Sequence, residues 1–168
     1  MTDAVDALLS RMADAERRLV AHASAPVPSG LTEPDPGGEE RWEAGQVWAH
    51  VAEFPGYWLE QVERVIEVSP REPVTFGRTK TDSGRVGAIQ RDRHEAPAEL
   101  LERTRASLAR ATATARSLSP EAWHLRGTHP TRGEMTVREI VERFIVDHLE
   151  EHADQLDGLR RGSTASPA

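Results

Sequence analysis

Residues 136–159, TVREIVERFIVDHLEEHADQLDGL, decide how this chain is read. Thr136 followed three residues later by Glu139 is a capping-box pattern, in which hydroxyl and carboxylate each take a backbone N–H that a helix start leaves unsatisfied. At about 100° per residue, Val137, Ile140, Val141, Phe144, His148, Glu151, His152, Gln155 and Leu159 then fall within about 60° of one line along a helix. The first half of that line is apolar. The second half carries two imidazoles, a carboxylate and an amide, and buried polar groups are costly unless paired. His148 and His152 stand one turn apart, so their rings can converge on one ion.

Three more helices flank this one in the sequence. The first is expected over about Asp3 to Ala21, where Val5, Leu8, Leu9, Met12, Leu19 and Val20 recur at helical spacing. Prolines and glycines from Ser24 to Gly38 end it in a loop. The second runs from about Arg41 to Val68, with Val47, Val51, Phe54, Trp58, Val62 and Val65 on one face. Pro55 predicts a kink within it, eased by Gly56. Residues 69–96 form a long connection with a short helix near Val86 to Arg91, and loops of that length are often functional. The third helix covers about Pro97 to Leu118, and Ser119-Pro120-Glu121 starts a short turn carrying Trp123. No alternation is long enough to predict a sheet. The expected fold class is all-α, an antiparallel bundle whose facing helices can build a metal site.

Composition bounds the function. The 168 residues fit one domain, expected over 1–160, with a disordered tail over 161–168 that has nothing to bury. No apolar run approaches the roughly 20 residues of a membrane span, and the mixed-charge N-terminus is unlike a secretion signal, so no membrane association and a cytoplasmic location are expected. Zero cysteines remove disulfides, Cys-zinc sites and any thiol nucleophile from the chain itself. A net charge of −7 argues against nucleic acid as a partner. Residues 71–93 are the local exception, with Arg71, Arg78, Lys80, Arg85, Arg91 and Arg93 against Glu72, Asp82 and Asp92. They read either as a solvated loop or as a recruiter of anions.

His50 flanks the apolar stripe of the second helix and supplies a third imidazole if that helix packs on the last. Three neutral nitrogens suit zinc, nickel, cobalt, iron or copper rather than magnesium or calcium. Three protein ligands leave positions open, the mark of a catalytic site. Glu151 and Gln155 read either as orienting a ligating His or as a solvated edge. His22, His94 and His124 are expected at the surface or in loops, and His129 is placed to approach the site from the loop before the last helix. The four tryptophans, Trp42, Trp48, Trp58 and Trp123, read as core or dimer packing.

Two segments, RWEAGQVWAHVAEFPGYW (41–58) and THPTRGEMTVREIVERFIVDHLEEHADQL (128–156), resemble the DinB-like superfamily. The resemblance implies an up-down-down-up four-helix bundle with long inter-helix loops, often a homodimer, with one divalent transition ion, zinc or nickel, on His50, His148 and His152. It also implies transfer of a low-molecular-weight thiol, mycothiol or bacillithiol, to an electrophile in stress or detoxification, while other relatives isomerise or hydrolyse and many have no known activity, so a metal-dependent hydrolase and a nonenzymatic metal-binding or interaction bundle are the alternatives. Glu151 departs from the pattern, since many relatives carry another His there.

Overall fold

The computed structural model describes residues 2–34 and 39–164. Met1, the expected loop residues Pro36, Gly37 and Gly38, and positions 165–168 lie outside the described residues. The elements in chain order are α1 (Thr2–Ala23), α2 (Ala44–Val68), α3 (Ser83–Asp92), α4 (Pro97–Ser117), a 3-10 turn (Ala122–His124), β1 (Arg126–His129), β2 (Gly133–Thr136), α5 (Val137–Val141), a π-helical turn (Glu142–Val146) and α6 (Asp147–Thr164). The last three form one continuous rod, five residues longer than the expected end at Leu159. Residues 161–164 of the expected tail are therefore helical.

Side-chain registers give the helix directions. Thr104 of α4 points its hydroxyl at the Val51 carbonyl, Ser107 lies beside Gly56, and Arg110 reaches Glu63, so both helices advance together. Along α1 and the last rod, Arg11 meets Asp147 and Glu150, Arg18 meets Asp154, and His22 meets Asp157, again in step. Between α2 and the rod the order reverses, with His50 beside His148 and Trp58 stacked on Phe144. The bundle is thus up-down-down-up rather than antiparallel throughout. A parallel α2/α4 pair needs a connection that returns along the whole length of α2, about 37 Å at 1.5 Å per residue. Residues 69–96 supply it, with α3 inside.

The core follows the apolar spacing. Val47, Val51, Phe54, Trp58, Val62 and Val65 of α2 are all buried, as are Leu8, Met12, Ala15 and Leu19 of α1 and Leu100, Leu101, Leu108, Ala111 and Ala115 of α4. Burying a side chain such as Phe54 contributes about 1.5–3 kcal/mol. Pro55 is buried within α2 without ending it. Each start has its own donor accounting: the Thr136 hydroxyl accepts from Glu139 N–H and the Glu139 carboxylate accepts from Thr136 N–H, while Asp82 caps α3 by accepting from Arg85 N–H at 2.9 Å. All four tryptophans are buried within the one chain and pack in its core.

Two features depart from the sequence expectation. A two-stranded antiparallel ribbon pairs Arg126 with Thr136 and His129 with Gly133. Four-residue strands are too short to show alternation, and Gly133 at φ 74 supplies the left-handed residue of a tight hairpin. The ribbon also straps the long connection, because Phe76 N–H donates to the Thr128 carbonyl and Thr128 N–H to the Val74 carbonyl. Next along the strap, Gly77 (φ 84) lies so close to His129 that a Cβ there would sit 2.5 Å from its ring. The second feature is the π turn. Its extra residue per turn rotates the helix beyond it, so Ile145, Leu149, Ala153 and Leu156 are fully buried although they lie off the line drawn from Val137.

Candidate metal centre

His50 projects from α2 and is 2% exposed, enclosed by Trp42 edge-on at 5.3 Å and by Phe54. His148 stacks on Phe54 at 4.5 Å, and His152 stacks on Trp42 at 6.0 Å. Aromatic faces thus fix all three rings. Each imidazole offers a nitrogen within 4.8 Å of the others, and His50 Nε2 lies 3.2 Å from His148 Nε2. Two nitrogens at ~2.05 Å from a tetrahedral ion stand about 3.3 Å apart, so the pair already has ligand spacing.

The protonation states suit ligation. Burial pushes His50 and His148 well below the ordinary imidazole value, and the neighbouring His152 pushes both the same way, so both rings stay neutral with a lone pair to give. His152 Nδ1 lies 2.7 Å from the Gln155 carbonyl oxygen and donates to it, which leaves the lone pair on its buried Nε2. Gln155 therefore orients a ring of the cluster, one of the two roles open to it in the sequence. Glu151 takes the other course: it is exposed and accepts from Arg143 at 2.8 Å. Donor set, spacing and neutrality all fit one transition ion.

Glu53 escaped the sequence reading, and Arg78 entered it only as one charge of the basic stretch 71–93. The Glu53 carboxylate stands 3.5 Å from His50 Nδ1, longer than a hydrogen bond, and is itself held by Arg78 at 2.6 Å. Arg78 belongs to the strapped connection and also lies over the Tyr57 ring at 3.8 Å. The readable signal was spacing, since Glu53 and Gln155 each follow a cluster histidine by three residues, the distance of one helical turn.

The other histidines divide. His94 and His124 are exposed as expected. His22 is not: it is buried, with Nε2 2.7 Å from Asp157, because parallel packing of α1 on α6 closes over it. His129 is also buried, stacked on Phe144 at 5.1 Å and outside the three-histidine group. Its Nδ1 accepts from Thr131 N–H at 3.3 Å, and burial lowers its basicity. The three histidines open into a cavity of about 1140 Å³ walled by Trp42, Trp58, His129 and Phe144 and by the connection from Arg78 to Arg85.

Solved structures with this fold are distant in sequence. YfiT from Bacillus subtilis, described as a probable metal-dependent hydrolase with an unusual four-helix bundle topology, is 20% identical at a TM-score of 0.69, over 96% of this chain and 89% of that one. The mycothiol-dependent maleylpyruvate isomerase is 15% identical at a TM-score of 0.68, over 92% of this chain and 61% of that one, so this chain spans about three fifths of that protein's length. A protein from Clostridium difficile 630 is 11% identical at 0.65, over 94% and 95% of the two chains. At these identities the likeness is one of fold. No curated protein matches the sequence. The sequence profile of the DinB superfamily matches residues 3–156, nearly the whole bundle, and the chain belongs to that superfamily.

Proposed function

We propose that this chain is a metal-dependent thiol S-transferase. It holds one divalent transition ion, zinc or nickel, on His50, His148 and His152, and joins a low-molecular-weight thiol of the mycothiol or bacillithiol type to an electrophile. The observation that carries this reading is a trio of converging imidazoles, with ligand atoms within 4.8 Å of one another, at the wall of a cavity large enough for two small molecules. An ion there lowers the pKa of a thiol that reaches it.

The chain's own residues do the rest. Gln155 fixes the His152 tautomer, the Arg78–Glu53 pair backs His50, and Trp42, Trp58 and Phe144 give the cavity apolar walls. With no cysteine in the chain, the sulfur nucleophile comes from the substrate. The thiol proton goes to solvent, the sulfur–carbon bond forms with the sulfur's electron pair, and the leaving group departs with its own. The isomerase likeness supports a thiol cosubstrate; the description of YfiT supports a second reading, in which water takes the thiol's place.

The test begins with metal analysis of protein purified without a nickel column, where close to one transition ion per chain is expected. Rates with mycothiol, bacillithiol or a simpler thiol plus monochlorobimane are then compared for metal-loaded and metal-free protein. Acceleration that needs both the ion and the three histidines supports the transferase. Metal-dependent cleavage of activated esters with no thiol reaction selects the hydrolase. Equal metal content in wild type and a His50→Ala, His148→Ala, His152→Ala triple variant removes the site.

A further inference from the structure

The cavity is charged opposite to the chain. Against a formal net charge of −7, its wall carries, among the described residues, Arg78, Lys80, Arg85, Arg132, Arg143 and Arg161 with Glu33, Glu151 and Asp154 as the acids. Some of these cations are committed within the protein: Arg78 to Glu53 and Asp82, Arg143 to Glu151 and Asp147. Arg132 differs. It sits in the hairpin turn between His129 and Gly133, and among the described residues no carboxylate lies within ion-pair distance of it. Its guanidinium lies 5.6 Å from the centre of the Phe144 ring.

That ring ties Arg132 to the metal centre. Phe144 precedes His148 by four residues, about 6 Å of axial rise, and both side chains line the same cavity. A guanidinium carries a planar fork of N–H donors that carboxylates and phosphates accept from bidentately, and its position over the Phe144 ring places that fork at the cavity wall. The hairpin turn that carries it is set by backbone pairing and by Gly133 at φ 74, so its position does not depend on a bound partner.

We infer that the molecule entering this cavity bears a carboxylate or phosphate, and that Arg132, on the wall of the same cavity as the three histidines, is the specificity-determining residue that receives it. The inference rests on reading the cavity as a substrate site, but the contact it assigns needs no metal. It therefore stands or falls on binding to the metal-free protein.

Trp42 and Trp58 line the cavity and report occupancy by their fluorescence. Metal-free protein is titrated with succinate, inorganic phosphate, mercaptosuccinate and the uncharged dimethyl succinate. The charged probes are expected to bind, more weakly as salt rises, and dimethyl succinate is not. Arg132→Met should weaken the charged probes about tenfold or more, the usual scale for losing a charge-assisted hydrogen bond. Arg126→Met, on the same hairpin but paired with Glu134 and off the cavity wall, should leave them unchanged. Tighter binding of mercaptosuccinate than succinate places the anion on the thiol; the reverse, or a preference for phosphate, places it on the other substrate. Equal affinity for succinate and its ester, or equal loss in the Arg132 and Arg126 variants, overturns the inference. If the triple histidine variant keeps its metal while Arg132→Met loses succinate, the metal reading falls and this one stands.

Discussion

Lowering the pH of metal-free protein should destabilise it through the buried histidine cluster before its carboxylates titrate. His50 and His148 are held neutral in the fold, chiefly by burial, while in the unfolded chain each takes a proton near the ordinary value of 6.5. Below that value the unfolded state binds more protons than the folded one, so stability falls as pH falls, by up to about 1.36 kcal/mol per pH unit for each ring that stays neutral. Between pH 7.5 and 5.5 the two rings together should cost about 2.7 kcal/mol. For a chain of this length that is a Tm drop of roughly 5–11 °C. His22 and His129, also depressed by burial, add to it in the same direction. The depressed carboxylates Asp92 and Asp157 act in a separate window, losing their contribution only below the ordinary Asp range. The assay is urea denaturation of chelator-treated protein at half-unit pH steps. A His50→Leu, His148→Leu variant should be flatter by the same ~2.7 kcal/mol over that range. Parallel curves for variant and wild type would refute the reasoning, since they would mean that the two rings titrate alike in both states.

Gly45→Ala places a Cβ 2.1 Å from the Arg93 carbonyl oxygen, a backbone atom that cannot swing away, so urea denaturation should show a loss of about 1–3 kcal/mol. Gln155→Leu removes the acceptor of His152 Nδ1 while leaving the bundle intact; competition with a chelating dye should show metal affinity down about 10- to 100-fold at unchanged far-UV dichroism. Thr136→Ala removes one side of the capping box and should cost about 1 kcal/mol in denaturant unfolding, with metal affinity unaffected.

Much of this architecture was legible because it rests on local signals. The capping box at Thr136, the stripe from Val47 to Val65, Pro97 at a helix start and the proline-glycine stretch after Ala23 each act within a few residues, and each appears where the spacing puts it. His50, His148 and His152 were found the same way, two by a one-turn interval and one by its place beside an apolar face. The misses share a different cause. His22 is buried by a carboxylate 135 residues away, and nothing near it in sequence announces that partner. The π turn changes helical phase without any compositional trace, so Leu149 and Leu156 fall outside the stripe drawn from Val137 although both are fully buried. Arg78 looked like one more charge in a basic loop, and only the folded connection shows that it holds Glu53 beside His50.

That strap has an evolutionary consequence. The connection is fastened to the hairpin through Val74, Phe76 and Thr128 by main-chain N–H and carbonyl groups, which are the same whatever side chains they carry. The residues just beyond, from Arg78 to Arg85, can therefore be exchanged by mutation while their path over the cavity is kept. A bundle built this way separates the three-histidine cluster, carried on packed helices, from an exchangeable rim, so what the cavity accepts can change without rebuilding the cluster.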